Sequence, residues 1–207
     1  AFMGVNYVGN KALGDSVNTK VSLNKANTTV PATSTASASS DVYDVSSIVE
    51  NCMPSVVSIT NVGTQEFRTI FGNYEQESQS SGSGIIIGQN DTELLIVTNN
   101  HVVSGAKELS VYFNSDGQDA DEDNVISAKI KGTDADKDLA VIAVQLSDIP
   151  AETMSSIKTA TVGDSSAMKV GEPVVAIGNA YGYGLSVTSG IVSALNREVT
   201  VQSDGQD

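Results

Sequence analysis

Apolar positions recur along this chain with two different periods. Val42, Val45, Ile48, Val49 and Cys52 stand at helical spacing behind Ser40 and Asp41, residue types that cap helix starts, and Pro54 closes the run. The spacing predicts a short amphipathic helix with Cys52 as a small buried core residue. From Ser55 the pattern changes to short β-branched stretches. Ser55–Thr60, Gly84–Ile87, Leu94–Thr98, Leu109–Phe113, Ile126–Ile130 and Leu139–Val144 read as six strands separated by turn-rich segments, with helices nearly lacking between them. Six such strands predict a small closed β-barrel. A second series opens at Pro173–Ile177 and Leu185–Leu195 and is only begun when the sequence ends at Asp207.

Two stretches break this pattern. Residues 10–40 are rich in Ser, Thr, Asn and Ala, with too few apolar groups to offset chain entropy, so residues 1–40 are expected to form a disordered linker. Residues 62–82 carry Phe67, Ile70, Phe71 and Tyr74 in a polar, glycine-punctuated setting and are expected to be a long loop. The organisation that follows is a linker over 1–40, an N-terminal barrel over 41–165 and the start of a C-terminal barrel over 166–207. The apolar start, Ala1 to Gly9, falls far below the roughly 18 residues that a membrane span needs.

The chain's single histidine, His101, stands where the apolar run ending in Thr98 breaks into a polar turn. A lone histidine is more often structural than catalytic, because proton chemistry needs partners. Here Asp138 stands at the mouth of another apolar run, Leu139–Val144, where a sheet end can hold it in place. A carboxylate accepting from one ring nitrogen fixes the tautomer and leaves the other nitrogen to take a proton from a hydroxyl. Those two residues make two thirds of a triad.

The residues around this pair are similar to those of the HtrA/Deg serine proteases. The similarity is carried by Ser83-Gly84-Ile85-Ile86-Ile87, by Thr98-Asn99-Asn100-His101-Val102-Val103 and by Gly132-Thr133-Asp134 with Asp138-Leu139-Ala140-Val141. Downstream it continues through Gly163-Asp164-Ser165-Ser166, Val170-Gly171-Glu172-Pro173 to Gly178-Asn179, and Val187-Thr188-Ser189-Gly190-Ile191. The resemblance spans roughly residues 45 to 197. It implies an all-β fold, the trypsin-like double β-barrel, with the first barrel complete and the second partly present. It also implies a serine endopeptidase with His101 as general base and Asp138 as its orienting carboxylate.

One departure qualifies the resemblance. The family's nucleophile lies in a Gly-Asn-Ser-Gly-Gly segment, and the sequence reaches Asp207 before any such segment. Ser165 follows Gly163-Asp164 but precedes Ser166 and Ala167 rather than two glycines, so it lacks the backbone that builds an oxyanion hole. Ser189 lies in a strand-like alternation, and Ser83, between two glycines, is expected in a flexible strand entry. This chain alone is therefore expected to be inactive, with its serine further along a longer product. The competing reading is a non-catalytic protease-like module that binds unfolded segments or partner proteins, since fold alone supports both.

Composition narrows the remaining classes. The chain has 207 residues, 40% hydrophobic and 5% aromatic, without Trp, so its core must come from Val, Ile, Leu and Ala. Its 25 acidic and 11 basic residues give a net charge of -14, which would repel phosphate backbones and argues against nucleic acid. The single cysteine excludes an intramolecular disulfide. Asp119, Asp121 and Asp123 alternate like a calcium loop, but Asn124 occupies the glycine position; Asp134, Asp136 and Asp138 are followed by Leu139. Neither a metal nor a cofactor is expected. The resemblance further implies unfolded or misfolded protein substrates, a homotrimer, a PDZ domain after the protease domain, a membrane tether upstream of residue 1 and work outside the cytoplasm, in the cell envelope or anchored to a membrane. It implies, too, that the 62–82 loop reaches neighbouring subunits and controls access to the active site.

Overall fold

The computed structural model describes Asn24 and residues 44–69, 72–113, 125–179 and 185–197, with side chains described outside 65–76. The expected linker over 1–40, save Asn24, lies outside the described residues. So do the Ser40–Asp41 cap, the Asp119, Asp121 and Asp123 cluster, and the stretch after Arg197. Helix α1 runs Ser46–Cys52. It is introduced by Asp44, whose Oδ1 accepts from the Ser46 N–H at 2.9 Å and from the Ser46 hydroxyl at 2.6 Å. Pro54 then falls in a single 3-10 turn, Met53–Ser55, at a position where its missing N–H is harmless. The helix corrects one expectation. Cys52 is exposed rather than buried, Ile48 is 43% exposed, and no residue of α1 is buried, so the helix contributes nothing to the barrel core.

The main sheet is antiparallel throughout. Its strands are β1 (Val56–Thr69), β2 (Gly72–Gln89), β3 (Glu93–Thr98), β4 (Ala106–Phe113), β5 (Val125–Ser127), β6 (Lys129–Asp134) and β7 (Leu139–Gln145), in the order β5-β4-β1-β2-β3-β7-β6. The two edge strands are neighbours in sequence. Ala128 alone separates them, and its N–H donates to the Leu109 carbonyl at 2.8 Å. One bent strand thus pairs with β4 at one end and β7 at the other, which curls the sheet back on itself. The expected strand over Ile126–Ile130 corresponds to these two pieces.

Strand alternation sends Ile59, Ile86, Leu94, Ile96, Val111, Phe113, Ile142 and Val144 into one core. Each such side chain contributes on the order of 1.5–3 kcal/mol of burial. Leu95, Ile87 and Ala143 point the opposite way into a smaller cluster with Val97. Burial on both faces explains why β3 and β7 read as unbroken apolar runs rather than as alternation.

Ile70 and Phe71 lie outside the described residues; the rest of 62–82 is strand rather than irregular loop. β1 and β2 form one long hairpin whose register runs from Val56 opposite Ile85 to Thr69 opposite Gly72. Beyond Gly63 on β1 and Ile85 on β2 the other barrel strands stop pairing, so the hairpin continues as a two-stranded arm. Ser83 is correspondingly in the body of β2, not at a strand entry.

Between the strands lie two short helices that the apolar pattern does not announce, α2 (Asn100–Val103) and α3 (Ala151–Ser156). A second unit begins with the hairpin of β8 (Pro173–Gly178) and β9 (Ser186–Ile191). The described residues are all-β apart from short helices: a curled seven-stranded sheet that makes the first barrel, and the opening hairpin of a second.

Candidate active site

The site lies where β3 and β7 end side by side. Thr98 pairs with Ala140, so the residues just past Thr98 meet those just before Leu139. Asp138 closes the β6–β7 turn, its N–H donating to the Ala135 carbonyl at 3.2 Å, and it takes a positive φ of 50°. Aspartate tolerates that left-handed conformation better than most residues.

On the other side, α2 is a single turn carrying His101 in its second position. Asn99 occupies the N-cap but makes no side-chain capping bond. Asp138 caps the helix instead. Its Oδ1 accepts from the His101 N–H at 2.9 Å, while its Oδ2 lies 2.7 Å from His101 Nδ1. One carboxylate therefore fixes both the backbone that carries the imidazole and the imidazole itself.

Asn99, which sequence reasoning passed over, completes the arrangement. Its Nδ2 donates to the Asp138 carbonyl at 3.0 Å and to Oδ2 at 3.1 Å. The bond to the carbonyl holds the left-handed backbone, and the bond to Oδ2 orients the carboxylate. Burial alone would raise the Asp138 pKa. The bonds from the His101 N–H, the His101 ring and Asn99 together outweigh it and hold the carboxyl below its ordinary 3.8. Asp138 is thus ionised at neutral pH, so in a neutral imidazole the shared proton sits on Nδ1 and Nε2 is an acceptor directed away from the carboxylate. The side chains are 67% exposed for His101 and 21% for Asp138, so the ring is reachable from solvent while its anchor is sheltered.

Helix α2 is also held from beneath. Asn61 of β1, 4% exposed, donates from Nδ2 to the Val102 carbonyl at 2.9 Å and the Ser104 carbonyl at 3.1 Å. Gly105, with φ of 70°, ends the helix in the left-handed conformation that glycine takes most readily. Val102 rests on the backbone of Gly82, where a Cβ would come within 2.5 Å of Val102 Cγ2.

The serines weighed from the sequence lie elsewhere. Ser165 is exposed in a 3-10 turn whose N-cap, Asp164, accepts from the Ser166 N–H, and Ser189 is exposed on β9. Among the described residues no serine hydroxyl bonds His101. The arrangement can accept a proton at Nε2 and stabilise the resulting imidazolium through Asp138.

Comparison with known proteins places the chain in a family. The family model of the trypsin-like peptidase domain matches residues 82–207. The serine protease Do-like HtrA of Bacillus subtilis is 38% identical over 172 residues, covering 80% of this chain and 35% of that protein. The periplasmic pH-dependent serine endoprotease DegQ of Escherichia coli is 34% identical over 163 residues, covering 72% of this chain and 32% of its own length. A probable periplasmic DegP-like endoprotease of Hahella chejuensis is 37% identical over 183 residues, at 77% and 35% coverage. The chain thus spans about a third of the length of these relatives. Among solved structures, a point variant of the HtrA-type protease AlgW with a decapeptide superposes with a TM-score of 0.59 at 28% identity, covering 75% of this chain and 46% of that one. With its curled barrel, its opening second hairpin and these matches, the chain belongs to the trypsin-like peptidase family, in its HtrA/Deg branch.

Proposed function

We propose that this chain supplies the general base and the orienting carboxylate of a serine endopeptidase that acts on unfolded or misfolded proteins outside the cytoplasm. The observation that carries the reading is the bifurcated grip of Asp138 on His101, 2.7 Å to Nδ1 and 2.9 Å to the backbone N–H. In this reading His101 Nε2 takes the proton from a serine hydroxyl as that oxygen attacks the scissile carbonyl, and later returns it to the leaving amine. Asp138 stays ionised throughout and stabilises the imidazolium. In this reading the nucleophile and the oxyanion donors come from residues other than Ser165 and Ser189. Periplasmic relatives support the location. Among the described residues no helix is long and apolar enough to cross a membrane. A homotrimer and a membrane tether ahead of residue 1 complete the proposal.

The test is turnover of an unfolded protein such as casein by the full-length protein. His101→Ala should cost several orders of magnitude, and Asp138→Asn roughly 10⁴, the loss known for that change in a trypsin-like triad. Near-parental cleavage by either variant would sink the assignment. A fluorophosphonate should leave the 207-residue chain unlabelled; adduct formation at Ser165 or Ser189 would show that the nucleophile lies within it.

A further inference from the structure

Gly82, Ser83 and Gly84 are consecutive in the body of β2, so alternation turns the two glycines to one side and Ser83 to the other. On the inner side both glycines are needed for close approach. A Cβ on Gly82 would stand 2.5 Å from Val102 Cγ2, and one on Gly84 2.6 Å from Ile96 Cγ2. On the outer side Ser83 Oγ accepts a hydrogen bond from the Asn179 N–H at 2.9 Å, just past the end of β8. Gly178 belongs to the same contact, because a Cβ there would fall 2.9 Å from Ser83 Oγ. The Ser83 carbonyl in turn accepts from Thr98 Oγ1 at 2.7 Å, and Thr98 immediately precedes Asn99.

Three parts of the molecule therefore converge on one residue: the end of β8, the end of β3 that leads into Asn99, and, through the adjoining Gly82, the helix that carries His101. We infer that Ser83 is a positioning residue whose hydroxyl sets the second unit against the His101–Asp138 pair. This rests on the peptidase reading, in which the second unit belongs to the barrel that presents the nucleophile. Asn179 is 7% exposed, so the bond lost with this acceptor is one made in a largely buried setting. Movement of the β8 end follows from that loss. A displacement of about 1 Å between reacting groups can lower a rate by about 10²-fold.

The test uses Ser83→Ala, Gly178→Ala and the double variant in the full-length protein. Amide exchange at Asn179, kcat and KM on a peptide substrate, and the thermal midpoint are measured for each. Ser83→Ala should speed exchange at Asn179 at least about tenfold while β3 and β7 amides keep their protection. Its kcat should fall by about ten- to a hundredfold with KM within about twofold of the parent. Gly178→Ala should lower kcat as well, and by less when Ser83 is already Ala, since the new methyl then occupies the space the hydroxyl leaves. Unchanged Asn179 exchange in Ser83→Ala would overturn the latch. Faster exchange with parental kcat, or strictly additive effects in the double variant, would overturn the positional role. If the unsubstituted full-length protein cleaves nothing, the peptidase reading falls and the positional role with it, while the exchange result still reports whether the bond exists.

Discussion

With φ at 50°, Asp138 sits where aspartate is usually stabilised by its own neighbouring backbone. Its carboxylate goes instead to His101 and Asn99, so the bonds that offset the backbone cost are the ones that build the site. A pH dependence follows. Because the folded-state pKa is lowered, the stabilisation is fully present above the ordinary value of 3.8 and is lost as pH falls through the lower folded value. Asp44 and Asp164 are lowered too, by bonds from Ser46 and Ser166, so the Asp138 share must be taken as a difference. Asp138→Asn should narrow the gap between stability at pH 5 and at pH 2, measured by urea unfolding; an unchanged gap would mean that the His101 contacts do not favour the charged form.

Asn99 gives the second residue-scale prediction. It stands at the N-cap of α2 without capping it, so the usual cost order of cap substitutions should reverse. Asp138→Ala should destabilise by about 1 kcal/mol more than Asn99→Ala, because it removes the true cap and leaves Ala in the left-handed region. Asn99→Ala should chiefly lower kcat, about tenfold, with KM unchanged, since it frees the carboxylate that orients the ring. Equal loss of stability in the two variants would contradict this division. That His101 and Asp138 meet could be expected from sequence, because each stands where an apolar run meets a polar turn. Asn99 could not, since an asparagine in a polar turn is unremarkable by itself, and only the pairing of β3 with β7 shows where its amide goes.

Among the elements, α2 is too short to be stable alone, and its geometry is imposed from outside. Asp138 holds its start, Asn61 its end, and Gly82 lets Val102 sit against the β2 backbone. Gly82→Ala should force Val102 and the helix outward, costing about 1–3 kcal/mol as an overpacking change. Val102→Ala removes the atoms that the new methyl would strike, so the double variant should be more stable than the sum of the two single losses. Additive losses in thermal melts would mean that the helix does not rest on Gly82. Legibility at this scale follows burial. β3 and β7 were readable because both faces are buried and the apolar runs are continuous, and β8 because it alternates less but is rich in Val and Ile. The β1–β2 arm was not. Beyond Gly63 the two strands pair with each other and no longer with the other barrel strands, and a strand held by its partner's backbone leaves no periodic trace in the sequence.

For the whole molecule, the contrast is between a closed barrel and a hairpin that lacks comparable cover. Ile59, Ile86, Ile96, Ile142 and Val144 are 0% exposed, whereas Val174 and Ile191 of the second unit are 37% and 62% exposed. A two-stranded hairpin is marginal by itself, so β8 and β9 depend on their contact with the first barrel, which is made at the Gly178–Asn179 end. At the other end, Val192 is held locally, its N–H donating to the Glu172 carbonyl at 2.9 Å and its carbonyl accepting from the Gly171 N–H at 2.9 Å. Opening the hairpin exposes little that is not exposed already, while opening β3 or β7 exposes the core. In the 207-residue chain, amides of β8 and β9 should therefore exchange at least about tenfold faster than those of β3 and β7, with protection rising from Val174 towards Asn179. Uniform protection across both units would mean that they unfold as one cooperative body, and that the barrel already supplies the hairpin with all the packing it needs.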